Sequence, residues 1–443
     1  MSDESLKEKI YLSLCELPLL DVHTHLIGNR LGAGGLHDIA IYHMAVSELY
    51  SAGCPNGARL TQYPGIPDTA EAHSRITEAL PYFHLVKNTG ISWGIRIILG
   101  ELYGFNEPLT ENNWRRIDSL IRERAGDAQW HREILKRAGI AHLCTEIARR
   151  ENGQADDILD YSLEWAFFTR CQWGEYDTAL YELERCWGKT PESPMPIGSG
   201  ARPETERVIQ TLDDVHKAVD HYVNAIPYDR IKSMATHIST DLDLSPATSG
   251  QMKEALSSRK SAGAKERDIY ASYINELFLS KLEKRGGDII FQFSYGAEPL
   301  KYETASRLSQ RSISQLAEIV TRHPGLRFQC FLSSLHANQS LCTLCREIPN
   351  LSMAGYWWHN FFPFGIRRII EERLDMLPLN RQAGFFSDAY CVEWAYAKAK
   401  LVRLQMAEVL SSKISQEQYS FFDAVDIAKN IFYEMPKQYL KIK

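Results

Sequence analysis

His23 and His25 are the residues of this chain best placed to do chemistry. They stand two apart in Asp21-Val22-His23-Thr24-His25-Leu26, directly after the short apolar run Leu17-Pro18-Leu19-Leu20. Side chains alternate between the faces of a strand, so imidazoles at i and i+2 point the same way. Neutral imidazole is the commonest protein metal ligand, and two on one face make half of a divalent-metal site that a third ligand would complete. A metal held by three protein ligands with open positions polarises a carbonyl or hydroxyl, or activates a water. The plainer reading is of two polar residues where a strand runs into a loop.

Positioning such a pair takes a framework, and the rest of the chain supplies the pattern of one. Of its 443 residues 44% are apolar, enough for a full core, and 24% are charged, ordinary for a soluble protein. Apolar runs rich in strand formers fall at 140–145, 165–170, 231–237, 288–294, 327–333, 351–357 and 384–388. With the run before His23 they make eight. Amphipathic stretches such as 314–321, 340–347 and 393–410 lie between or after them. Strands alternating with helices predict parallel strands, and eight such units predict an α/β fold of the closed (β/α)8 TIM-barrel kind. Residues 27–138 break the rhythm with helical patterns at 38–50, 70–87 and 112–124 and no convincing strand. The expected organisation is therefore residues 1–26 as an N-terminal helix and strand 1, 27–138 as a helical insertion at the barrel mouth, and 139–443 as the remaining barrel and C-terminal helices.

Several functions are excluded or disfavoured by composition. A net charge of −6 with no basic cluster argues against a nucleic-acid partner. No apolar run reaches membrane-spanning length, and the charged opening Met1-Ser2-Asp3-Glu4 reads as a helix start rather than a signal peptide. Nine scattered cysteines, an odd count, suit reduced thiols and a cytoplasmic protein. The lone Cys342–Cys345 pair has no second pair to make a zinc motif, so buried structural thiols are expected. The expected partner is a small molecule, with homo-oligomerisation left open.

In barrel enzymes the site lies at the C-terminal ends of the strands. That rule selects His23, His25, Arg170, His237, Ser294, residues 333–338 with His336 among them, residues 357–360 opening on Trp357, and Asp388. Strand 8 neighbours strand 1 once the barrel closes, so Asp388 and His25, far apart in sequence, are expected side by side as three metal ligands with His23. The competing role for Asp388 is a helix cap, though both roles can hold at successive positions, with Ser387 capping while Asp388 ligates. His237 could line the pocket or be a hydrogen-bonded histidine under a loop. Arg170 could bind an anion or sit in a structural ion pair. Trp357 and Trp358 could be core, though adjacent strand-end residues face opposite ways and one should face the barrel interior. Ser294 cannot replace an imidazole ligand, which argues for one metal rather than two.

The His-x-His on strand 1 with Asp388 on strand 8 resembles the amidohydrolase superfamily, whose barrels are of the metal-dependent hydrolase type. Within it the chain is similar to the uronate isomerases, on Asp21–Leu26, Tyr42-His43, Arg170, Gly355-Tyr356-Trp357-Trp358 and Ser387-Asp388-Ala389. The resemblance implies one divalent metal, usually zinc, on His23, His25 and Asp388, and conversion of glucuronate to fructuronate or of galacturonate to tagaturonate. It further implies proton transfer by Asp388, an active-site role for His43, a guanidinium contact from Arg170 to a sugar-acid substrate, and Trp357 as a pocket wall. Met44 stands where the family carries a Tyr, Tyr390 where it carries an Arg, and His359 where an aromatic residue is usual. The substrate pocket around Met44 and Tyr390 is therefore expected to be less positive and more apolar, with altered substrate preference. A mononuclear hydrolase or lactonase on the same barrel is the alternative. A non-catalytic sugar-acid binder would not need the full ligand set.

Overall fold

The protein is described here as a computed structural model, covering residues 3–26, 31–42, 44–55, 68–147, 158–164, 178–189, 191, 207–238, 243–259, 262–286, 289–295, 297–299, 306–308, 312–356 and 361–442. Eight parallel strands form one sheet in chain order: β1 Leu19–Thr24, β2 Ile140–Glu146, β3 Leu159–Glu164, β4 Ser233–His237, β5 Ile290–Tyr295, β6 Arg327–Leu332, β7 Leu351–Ala354 and β8 Gln382–Ala383. The sheet closes on itself through the chain after β8. There the Asp388 amide donates to His23 O at 3.1 Å, and the His25 amide donates to Ala389 O at 2.9 Å. This is the (β/α)8 barrel expected from the alternation of apolar runs and helices.

Helices follow the strands as the parallel topology requires. They include Leu212–Ala225 before β4, Ala264–Arg285 before β5, Asn338–Glu347 before β7, Pro363–Met376 before β8 and Val392–Ser415 after it. Between β1 and β2 no strand occurs among the described residues. Helices Leu36–Ala40, Met44–Ser51, Thr69–Ala79, Gly90–Ile97, Trp114–Arg124 and Ala128–Ala138 lie in that stretch. The last of these starts under an Asp127 cap on the Trp130 amide and stops at Gly139, whose φ of 67° suits a residue without Cβ. Arg403 then ties the helix end to the sheet, donating to Ala138 O at 2.5 Å and Leu17 O at 2.9 Å.

Two apolar clusters sit between sheet and helices, and a third sits inside the barrel. Leu20, Val22, Cys144, Ile290, Phe331, Ala354, Ala383 and Phe386 come from both sides of the ring and share one cluster. Only the barrel interior can bring them together. Leu440 and Ile442 of the C-terminal segment join the same cluster. The Arg327 guanidinium holds Tyr439 O at 3.1 Å, so the tail closes the N-terminal end of the barrel.

Local expectations are corrected, first at strand 8, which was expected over 384–388 but pairs only over Gln382–Ala383, the chain beyond it leaving the ladder to set Asp388. The third strand is described over Leu159–Glu164, upstream of the run that predicted it, and residues 165–170 lie outside those described. Its Leu163 packs outward while Ser162 bonds across to Thr145 O, a polar pattern that apolar runs do not reveal. The helix expected over 38–50 is two helices, Leu36–Ala40 and Met44–Ser51, and the break lets Tyr42 turn toward strand 8. A short antiparallel ribbon, Ala297–Pro299 with Ser306–Leu308, follows β5 and was not anticipated.

Candidate metal centre

His23 lies near the end of β1 and His25 just beyond it, their ring centroids 4.9 Å apart. The strand ends are pinned: Thr24 Oγ1 donates to Cys144 O at 2.9 Å and Thr145 Oγ1 to Leu26 O at 2.7 Å. Asp388 Oδ1 lies 3.1 Å from His25 Nε2 and 3.8 Å from His23 Nε2. Ligands about 2.0–2.1 Å from a tetrahedral ion stand about 3.3 Å from one another, so these spacings bracket what a shared cation needs. His23 and Asp388 are buried and His25 nearly so. The donor set, two imidazoles and a carboxylate, fits a divalent cation, and these three residues could hold one.

Asp388 takes its place through an uncommon backbone. Its φ is 53°, a left-handed conformation that Asp tolerates better than most residues and that costs on the order of 1 kcal/mol. Three buried groups hold the turn. The Asp21 carboxylate accepts from the Ser387 amide at 2.8 Å. The Tyr42 hydroxyl donates to Asp388 O at 2.6 Å. The Lys398 ammonium donates to Ser387 O and, at 3.2 Å, to the Tyr42 hydroxyl. The helix-cap reading of Ser387 and Asp388 is corrected here, since Cys391 occupies the cap of helix Val392–Ser415.

Electrostatics mark the centre. Burial alone would lower the His25 imidazole, but the Glu146 and Asp388 carboxylates overcome it and raise the group to about 10. Burial raises Asp21 to about 7, against the hydrogen bonds it accepts from Ser387 and His23. Burial lowers Lys398 to about 8, with Asp388 and Asp21 opposing.

The other expected site residues are distributed differently. Tyr390 stacks on His25, centroids 4.8 Å apart and planes 22° apart, so it belongs to the centre. His237 ends β4 in register with Ser294 of β5, partly exposed on the same end of the barrel. Met44 opens its helix and packs, half-buried, against the main apolar cluster. His336 is exposed in the turn after β6. His43, Arg170, Trp357, Trp358 and His359 lie outside the described residues. Cys342 and Cys345 are buried in one helix with their thiols pushed up by burial, away from the centre.

Glu146 was missed. It is buried at the end of β2, and its carboxylate meets His25 Nδ1. The strand expected over 140–145 stops one residue short of it, and the rule that sites lie at strand ends would have selected it had the boundary been placed at 146. Glu164, exposed at the end of β3, stands close to the same pair.

No family model matches the chain. A uronate isomerase from Thermotoga maritima is 22% identical over 166 residues, 37% of this chain and 33% of that relative. The aligned stretch thus spans about a third of the length of the curated relatives. Among solved structures, a uronate isomerase from Bacillus halodurans superposes with a TM-score of 0.73 at 16% identity, covering 100% of this chain and 97% of that one. A glucuronate isomerase from Caulobacter crescentus gives 0.74 at 15% identity, covering 100% and 95%. A protein from Lactobacillus casei, provisionally named a metal-dependent hydrolase, gives 0.56 at 13% identity, covering 98% and 97%. The chain is thus similar to the uronate isomerases in part of its sequence and shares their fold along its whole length.

Proposed function

We propose that the protein is a metal-dependent aldose–ketose isomerase acting on a uronate or related sugar acid, of the glucuronate-to-fructuronate type. The observation that carries this reading is the convergence of His23, His25 and Asp388 at the mouth of a barrel shared with uronate isomerases. A single divalent ion, zinc if the resemblance to the uronate isomerases holds, would polarise the sugar hydroxyl and carbonyl. Asp388 Oδ1 faces the imidazoles, and we assign its second oxygen to the proton. Moving the C2 proton to C1 and the O2 proton to O1 turns aldose into ketose with no change in atoms or electrons. One carboxylate that takes the first proton and returns it to the neighbouring carbon suffices for the carbon step. Arg170, His43, Trp357, His237, Met44 and Tyr390 are assigned to the substrate side of the site. Tyr390 and the exposed Glu164 carboxylate make its described rim aromatic and acidic.

That rim favours a second reading, a mononuclear hydrolase or lactonase acting on a less anionic sugar derivative. There the metal would lower the pKa of a water and Asp388 would accept its proton. The test is metal analysis of the purified protein, followed by NMR of uronates and sugar lactones incubated with it in deuterated water. Ketose formation or deuterium at a sugar carbon supports the isomerase. Lactone opening with every uronate unchanged replaces it with the hydrolase.

A further inference from the structure

We infer that Glu146 is a positioning residue that fixes the tautomer and aim of His25, presenting Nε2 to the metal by holding the proton on Nδ1. The inference rests on the metal reading given above. Both nitrogens of His25 face carboxylates: Nδ1 meets Glu146 Oε1, and Nε2 stands 3.1 Å from Asp388 Oδ1. A neutral imidazole has one N–H and one lone pair. A cation shared with His23 and Asp388 takes the lone pair at Nε2, which leaves Nδ1 to donate to Glu146. A carboxylate behind a ligating histidine fixes its orientation and raises its basicity.

The surroundings are built for this role. Glu146 is placed by the sheet rather than by a loop: Thr145 registers with Thr24 of β1, and Glu146 with Ser162 of β3. It is buried, so its charge needs a donor, and His25 supplies one. Tyr390 lies flat on the His25 ring, a contact that resists the flip exchanging Nδ1 and Nε2. Asp21, also buried near the pair, spends Oδ1 on the amides of Ser387 and His23 and serves the backbone instead. A competing reading makes His25, Glu146 and Glu164 a second cation site, since their ligand atoms also lie within 4.8 Å of one another. That site would need a lone pair on Nδ1 while Nε2 serves the first cation, and one of its carboxylates is exposed.

The test uses zinc as the probe, titrated against a chromophoric chelator, on the full chain and on Glu146→Ala, Glu146→Gln, Glu164→Ala and His25→Ala. Nitrogen-15 NMR of the histidine rings reports the tautomer in the zinc-loaded protein. The expected result is one zinc per chain, with affinity lowered about 10- to 100-fold in Glu146→Ala, less in Glu146→Gln, which keeps an acceptor, and unchanged in Glu164→Ala. His25 should be protonated at Nδ1 in the parent and lose that fixed state in Glu146→Ala. Unchanged affinity and tautomer in Glu146→Ala overturn the inference and leave the metal reading standing. Two zinc ions per chain, one lost in both glutamate variants, also overturn it and make Glu146 a ligand. Zinc held as tightly by His25→Ala as by the parent overturns both. If Glu146→Ala does not fold, Glu146→Gln decides by the same two measurements.

Discussion

Lys398 shows how residues behind the centre shape it. Its ammonium is buried, near 8 rather than the usual value above 10, because desolvation outweighs the attraction of Asp388 and Asp21. Between about pH 8 and 10.5 the unfolded chain holds a proton there that the folded chain does not, so this group's contribution to stability rises with pH across that window and is lost as pH falls through 8. In chelator-treated protein, the stability of the parent relative to Lys398→Met should therefore grow from about pH 8 to pH 10 in urea unfolding. A difference that stays flat or shrinks would contradict the assignment. At the ligands themselves, His23→Ala combined with His25→Ala should abolish bound metal. Asp388→Asn should weaken it and remove proton transfer, read by metal analysis and by solvent exchange. Much of this centre was legible in the sequence. His-x-His on an apolar run is a local signal, and Asp388 followed from barrel closure. Glu146 was not, because one residue of strand length separated it from the expected end. The sequence places Tyr390 in the pocket, and the structure adds that its ring lies on His25.

At the scale of elements, parallel strands read well where both faces are apolar and poorly where they are not. β5 and β6 carry runs such as Ile290–Tyr295 and Arg327–Leu332 that pair along their whole length. β3 alternates Leu159, Asp160, Tyr161 and Ser162, and the apolar run after it drew the expected strand downstream. β8 pairs for only two residues with β7, because the chain beyond it bends to set Asp388 and joins β1 through individual backbone bonds. The insertion reaches the centre through a helix break rather than a helix face. Tyr42 lies in that break, and Ala33 is held to Glu393 by its amide at 3.0 Å. The C-terminal segment is the least legible element in function, since nothing local says that Leu440 will plug a barrel. Leu440 is buried against the interior cluster, so Leu440→Ala should destabilise the protein by about 2–5 kcal/mol. Thermal and urea unfolding measure this. A loss under about 0.5 kcal/mol, typical of a surface change, would show that the tail does not plug the barrel.

For the whole molecule, sequence and structure agree on one barrel that gathers His23, His25 and Asp388 at one end, and the proposed activity leaves preference among substrates to the rim. A site that pairs a substrate group rejects molecules lacking it, and replacing the pairing groups shifts preference. On the proposed reading Met44 and Tyr390 stand where the similar isomerases carry a phenol and a guanidinium, so turnover of glucuronate and galacturonate should be weak, with kcat/KM below about 10⁴ M⁻¹s⁻¹ and better values for a related sugar acid. Steady-state assays above that figure on either uronate would show that the two replacements are tolerated. The central claim is that the centre moves a carbon-bound proton of a sugar acid. Its most direct test is proton NMR of zinc-loaded protein with a panel of hexuronates and their derivatives in deuterated water, with Asp388→Asn as the control. Deuterium at C1 or C2, or ketose formation, is expected for at least one acid of the panel and for none with Asp388→Asn. Complete retention of every carbon-bound proton, with steady hydrolysis of a lactone or ester, would contradict it.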